Sequence, residues 1–134
     1  MMTIAYERLP VLIDGVRTPF LDSAGAYSTL MSYELAAKAI AGLVDKTGVK
    51  VDKLGLVAMG TVLHEINTTN VARESMLAAG LPSTIPAYTV AMAGISPNIA
   101  VANICDMIAL GRLDAGIAGG VDNFSEIGRA SCRE

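Results

Sequence analysis

Few residues in this chain are of a kind that performs covalent or acid–base chemistry, and they are spread out. Among 134 residues there are two cysteines, Cys105 and Cys132, and one histidine, His64. The stretch "YTVAMAGISPNIAVAN", Tyr88 to Asn103, reads as a buried strand, a tight turn and the start of a helix. At such a place the helix N-terminus puts partial positive charge beside a side chain and activates a nucleophile. The turn itself offers Gly94, Ile95 and Ser96. Glycine carries no group to ionise. Ser96, followed by Pro97, reads as a helix N-cap, and neither a G-x-S-x-G elbow nor a histidine partner accompanies it. Cys105 lies eleven residues beyond Gly94, on the order of 16 Å along a helix, too far to take over the turn's chemistry. It reads as a core thiol. His64 follows a short apolar run and reads as a loop or interface residue that is still able to approach a bound substrate. The cysteines and the histidine do not have metal-ligand spacing, so no metal site is expected.

The elements that must position this turn follow from apolar patterning. "LGLVAMG" (Leu54 to Gly60), "AYTVAMA" (Ala87 to Ala93) and "AGIAGG" (Ala115 to Gly120) are continuous rather than alternating apolar runs, as expected of parallel strands covered on both faces. "VLIDG" (Val11 to Gly15) predicts a further strand ahead of them. "SYELAAKAIAGLVDKTG" predicts a helix with Ser32 as N-cap and Gly48 as its stop; "VARESMLAAG" predicts another, capped by Asn70 and stopped at Gly80. Between the last two strands, residues 97 to 110 predict a helix started by Ser96–Pro97 and ended at Gly111, with only Asn98, Asn103 and Asp106 polar. A helix apolar nearly all round is buried all round. The alternation predicts one α/β domain with a mostly parallel sheet, helices on both faces and one fully buried helix, for which this chain supplies no covering layer.

Composition narrows the function classes. Hydrophobic residues make up 52% and charged residues 17%, with a mean hydropathy of +0.49, which suits a domain covered by more chain or by a partner. The formal net charge is −3, and the basic residues do not line up on one element, which argues against nucleic acid as a partner. No run reaches the ~18 apolar residues of a membrane span, and "MMTIAYERLP" is unlike a secretion signal, so a cytoplasmic location is expected.

Four ordered motifs, "DGVRTPF", "MGTVLHEINTTNVARESMLAAGLP", "IPAYTVAMAGISPN" and "DAGIAGGVDNFS", resemble the N-terminal domain of the thiolase family over roughly Leu9 to Glu126. The branch most similar is that of acetyl-CoA acyltransferases (3-ketoacyl-CoA thiolases) of the trifunctional β-subunit type. The resemblance implies a two-halved protein in which two helices lie between two sheets, which would supply the layer that residues 97 to 110 require. It implies a homodimer or tetramer, in some cases with a hydratase/dehydrogenase subunit, and coenzyme A or acetyl-CoA as substrate rather than a covalently bound cofactor. In the family the turn carries a cysteine that takes the acyl group of a 3-ketoacyl-CoA as a thioester; matched through "TVAMAGIS", its position is Gly94. His64 and Ser96 are the residues left as candidates for contact with the CoA substrate. The family's histidine and second cysteine fall beyond the last residue given. Asn70 and Arg73 match an "N-x-A-R" pattern that capping and loop pairing explain as well. "GGVDNFS" carries Asp122 and Phe124 where the family pattern has Glu and Met. After Glu126 the resemblance stops. "IGRASCRE", residues 127–134, is what the adapter-like nucleotides ATCGGAAGAGCGTCGTGTAGGGAA encode, so this tail is expected to be non-native and Cys132 to carry no function.

Overall fold

The central strand, β1 (Leu54–Gly60), is the apolar run with the fewest polar interruptions, and six of its seven residues are buried. In the computed structural model, which describes residues 8–126, β1 lies between β2 (Ala87–Val90) and β3 (Ala115–Gly120) in the order β2-β1-β3. Both pairings are parallel, with Gly60 level with Val90 on one side and with Gly120 on the other. The two-residue period of a strand sorts β1 between two cores. Val57 and Met59 face α1 (Ser32–Thr47) and α2 (Val71–Ala78) in a cluster with Ile40, Ala72 and Met76. Leu56 and Ala58 face α3 (Ser96–Ala109), meeting Ala100 and Ile104. A register irregularity between Leu54 and Leu56 turns Leu54 to the α1–α2 side.

The parallel sheet and the helices on both its faces are as the sequence predicts, and three of the expected details change. Val11–Gly15 is not a strand, so the described residues hold three strands rather than four. A strand is made by a ladder partner, and Val11, Leu12 and Ile13 have their side chains exposed instead of packed beside β3. The N-caps are Met31 and Ile95, each one residue ahead of the serines expected there. At α1 the Glu34 carboxylate accepts the Met31 N–H at 2.8 Å, the acidic half of a capping box, while the Ser32 N–H donates to Glu65. The helices stop at Gly48, Gly80 and Gly111 as expected, each with positive φ. Finally, α3 is covered on its sheet side alone: Ser96, Ala100, Ile104 and Ala109 are buried, while Val101, Ala102 and Leu110 are exposed. Its apolar outer face meets no layer among the described residues.

Candidate functional site

The connections leaving β1 and β2 run to opposite faces of the sheet, one to α2 and the other to α3. Between two such neighbouring strands a crevice opens at their C-terminal ends, the usual ligand position in open α/β sheets. The loop after Gly60 and the turn Ala91–Ile95 border this crevice, so the fold brings Gly94 to it.

The turn is held by one buried hydroxyl. Ser96 is fully buried; its Oγ accepts the Met92 N–H at 2.7 Å and donates to the Ala93 carbonyl at 2.6 Å, with the Thr61 carbonyl more distant at 3.4 Å. Ala93 between them has φ +48°, a left-handed conformation that costs an L-residue about 1–2 kcal/mol. Gly94 next to it is not in the left-handed region. It is exposed, and a Cβ built on it meets nothing within 4 Å. The glycine therefore stands one residue away from the position whose backbone would favour it, in a place where a side chain fits without displacement. Behind the turn, α3 sits directly on the sheet. A Cβ at Gly60 would lie 2.5 Å from the Pro97 nitrogen and the Ser96 carbonyl carbon, and one at Gly120 would overlap the Pro97 ring. Glycine at both strand ends lets the helix N-terminus approach this closely.

The loop on the other side of the crevice is pinned by Asp122. One of its carboxylate oxygens accepts from Thr61 Oγ1 at 2.9 Å, from the Val62 N–H at 2.9 Å and from the Leu63 N–H at 2.8 Å. Glu65 two residues on is held by the Ser32 N–H. His64 lies between these fastened neighbours with its side chain exposed.

Asn70 and Arg73 have structural work. Asn70 Oδ1 accepts the Arg73 N–H at 3.1 Å as the N-cap of α2, and also the Thr89 hydroxyl at 2.9 Å; its Nδ2 donates to the Ala87 carbonyl at 3.0 Å. Arg73 donates to the carbonyls of Ile85 and Ser83 at 2.8 and 2.9 Å, tying α2 to the loop before β2. Cys105 is half-buried in α3, and Cys132 lies outside the described residues. A cavity of about 930 Å³ lies between the segment around Arg17 and Phe20, α1 and the open edge of β3; it reaches Pro97, Gly120 and Asp122, while Gly94, His64 and Ser96 do not line it. The described His, Cys, Asp and Glu residues form no group able to hold a metal ion.

The role of Asp122 is the part of the site that sequence reading missed. Its only signal was a carboxylate where the resembling pattern also has one, and no local spacing tells that it reaches sixty residues back to the β1 loop. Thr61 was likewise silent.

The fold and the crevice define an α/β domain whose strand–turn–helix unit presents one open side-chain position at the C-terminal edge of a parallel sheet. The chain belongs to the thiolase family: the family model described as "Thiolase, N-terminal domain" matches residues 10–133, beyond the Glu126 at which the motif resemblance ends. It is 46% identical over 117 residues to the mitochondrial trifunctional enzyme subunit beta of Bos taurus, covering 87% of this chain and 25% of that protein. To a probable 3-ketoacyl-CoA thiolase of Caenorhabditis elegans it is 43% identical over 126 residues, 92% of this chain and 28% of the relative. Among solved structures it resembles the acetyl-CoA acetyltransferase of Bacillus anthracis with a TM-score of 0.73 and 30% identity, over 77% of this chain and 26% of that one. The chain thus spans about a quarter of the length of these relatives.

Proposed function

We propose that this chain is the N-terminal part of an acetyl-CoA C-acyltransferase. The whole protein moves an acyl group between a cysteine thioester at position 94 and coenzyme A or acetyl-CoA, in 3-ketoacyl-CoA cleavage or condensation, and this copy, with Gly94, does not carry it out. The observation that supports the reading is the open side-chain position at Gly94, where neither the backbone nor a neighbour requires glycine. A thiol there would sit just ahead of the N-terminus of α3, whose partial positive charge favours the thiolate. We further propose an acyl-CoA substrate and assembly as a dimer or tetramer, with a hydratase/dehydrogenase subunit as a partner. The apolar outer face of α3 and the name of the bovine relative support association.

A second reading, favoured by Gly94 itself, is a thiolase-like protein that binds acyl-CoA or supports a catalytic partner without turnover. Resequencing the source gene through codon 94 and past codon 126, followed by treatment of its product with an acyl-CoA-like alkylating reagent, separates the two. A cysteine codon with labelling at position 94 supports the acyltransferase. A confirmed Gly94 with measurable acyl-CoA binding and no labelling supports the binding protein. Neither labelling nor binding overturns both. The same sequence read decides whether Ile127–Glu134 belongs to the natural gene.

A further inference from the structure

Acyl transfer at position 94 leaves one buried polar group near it unused. Ser96 was expected to cap α3, yet its hydroxyl bonds none of the helix's first-turn N–H groups. We propose that Ser96 is a positioning residue: its hydroxyl fastens the backbone on both sides of Ala93 and thereby fixes where the side chain of residue 94 emerges, a role that rests on the acyl-transfer reading of that position.

A serine hydroxyl has one proton and two lone pairs. Here a lone pair takes the Met92 N–H, and the proton goes to the Ala93 carbonyl, 2.6 Å away, in preference to the Thr61 carbonyl at 3.4 Å. The two bonds span Ala93 and close it into a conformation an alanine otherwise avoids. The hydroxyl end of both bonds is shielded from water, because Ser96 is fully buried. The hydroxyl is itself fixed, since Ser96 and Pro97 rest on Gly60 and Gly120 with no room for a Cβ between. The result is a chain of constraint from the sheet to Ser96, from Ser96 to Ala93, and from Ala93 to the Cα–Cβ direction of residue 94. If the hydroxyl is removed, Ala93 relaxes toward the ordinary right-handed or extended regions. Residue 94 then turns away from its place ahead of α3.

The experiment uses the full-length gene product carrying Gly94→Cys and follows alkylation by iodoacetamide at position 94, read on its proteolytic peptide by mass spectrometry, as a function of pH. With Ser96 present the profile has a midpoint below that of an ordinary thiol, about 8.5, and Ser96→Ala moves it up by about one unit, slowing the neutral-pH reaction about tenfold. Ser96→Thr, which keeps a hydroxyl, retains the parent profile. Superimposable profiles with and without Ser96→Ala overturn the proposal. A second measurement needs no substitution. In the full-length product without substitution the Met92 amide is protected from hydrogen exchange although its residue is 52% exposed, and exchange at the unprotected rate overturns the proposal as well. The underlying reading fails separately: a thiol at position 94 that reacts with iodoacetamide and follows Ser96, but never accepts an acyl group from acyl-CoA in the full gene product, contradicts acyl transfer and leaves the positioning role intact.

Discussion

α2 and α3 leave the same edge of the same sheet, and their first turns are finished in opposite ways. At α2, Asn70 caps the helix and binds β2 through Ala87 and Thr89, so the start of the helix is closed. At α3 the N-cap is Ile95, without a side-chain cap, and the nearest polar side chain turns back into the preceding turn. A helix N-terminus exposes up to four unsatisfied N–H groups. α2 satisfies its share locally, whereas α3 keeps its hydroxyl for geometry and leaves its first turn uncapped beside an open side-chain position. The first arrangement holds a fold together; the second, on the proposed reading, prepares a place for a group that is to carry negative charge.

The comparison is broken most severely at the seat of α3. Gly60→Val places side-chain carbons inside the backbone of Ser96 and Pro97, and should cost about 3 kcal/mol or more by denaturant unfolding, at the upper end for overpacked sites. A loss under about 1 kcal/mol would mean that α3 does not rest on β1. Asn70→Ala removes a cap and leaves partners on β2 unsatisfied, for an expected loss of about 2 kcal/mol; at α3 no equivalent cap exists to remove. Gly94→Ala sharpens the contrast from the other side. With ordinary φ and free space, it should leave stability unchanged or raise it by about 0.5 kcal/mol through the unfolded chain. Clear destabilisation would show that glycine is structurally required there.

The smallest effect belongs to a control far from both helix starts. Lys46 donates to Asp14 at 2.8 Å, and this bond, together with the Gly15 N–H, holds the Asp14 carboxyl below its usual range. A lowered folded-state value means that the pair stabilises the chain above the ordinary carboxylate pKa and that this contribution is lost as pH falls through the lowered value. Lys46→Ala should move the Asp14 titration upward by NMR while leaving Met92 amide protection untouched. An unmoved Asp14 would assign the shift to Gly15.

What the sequence made legible were features set by local pattern. Continuous apolarity marked β1, β2 and β3, and glycines marked all three helix ends. The same reading made Val11–Gly15 a strand, because apolarity reports a tendency to be covered and says nothing of which ladder covers it. It made Ser96 an N-cap because a serine before a proline fits that role, and the competing bond to Met92 depends on the turn's own closure. Position 94 was visible only through resemblance. That its space is open and that Asp122 pins the facing loop depend on contacts between distant segments, and that Ala93 and not Gly94 holds the left-handed φ depends on how the turn closes on Ser96.

The central claim is that position 94 is the place of a nucleophile on a mount that stands without it. The most direct test is the pH midpoint of alkylation at position 94 in the full-length gene product carrying Gly94→Cys. A helix-activated position predicts a value clearly below the ordinary thiol pKa of about 8.5, with the chain folded as before. A midpoint at or above that value in the folded chain would contradict it.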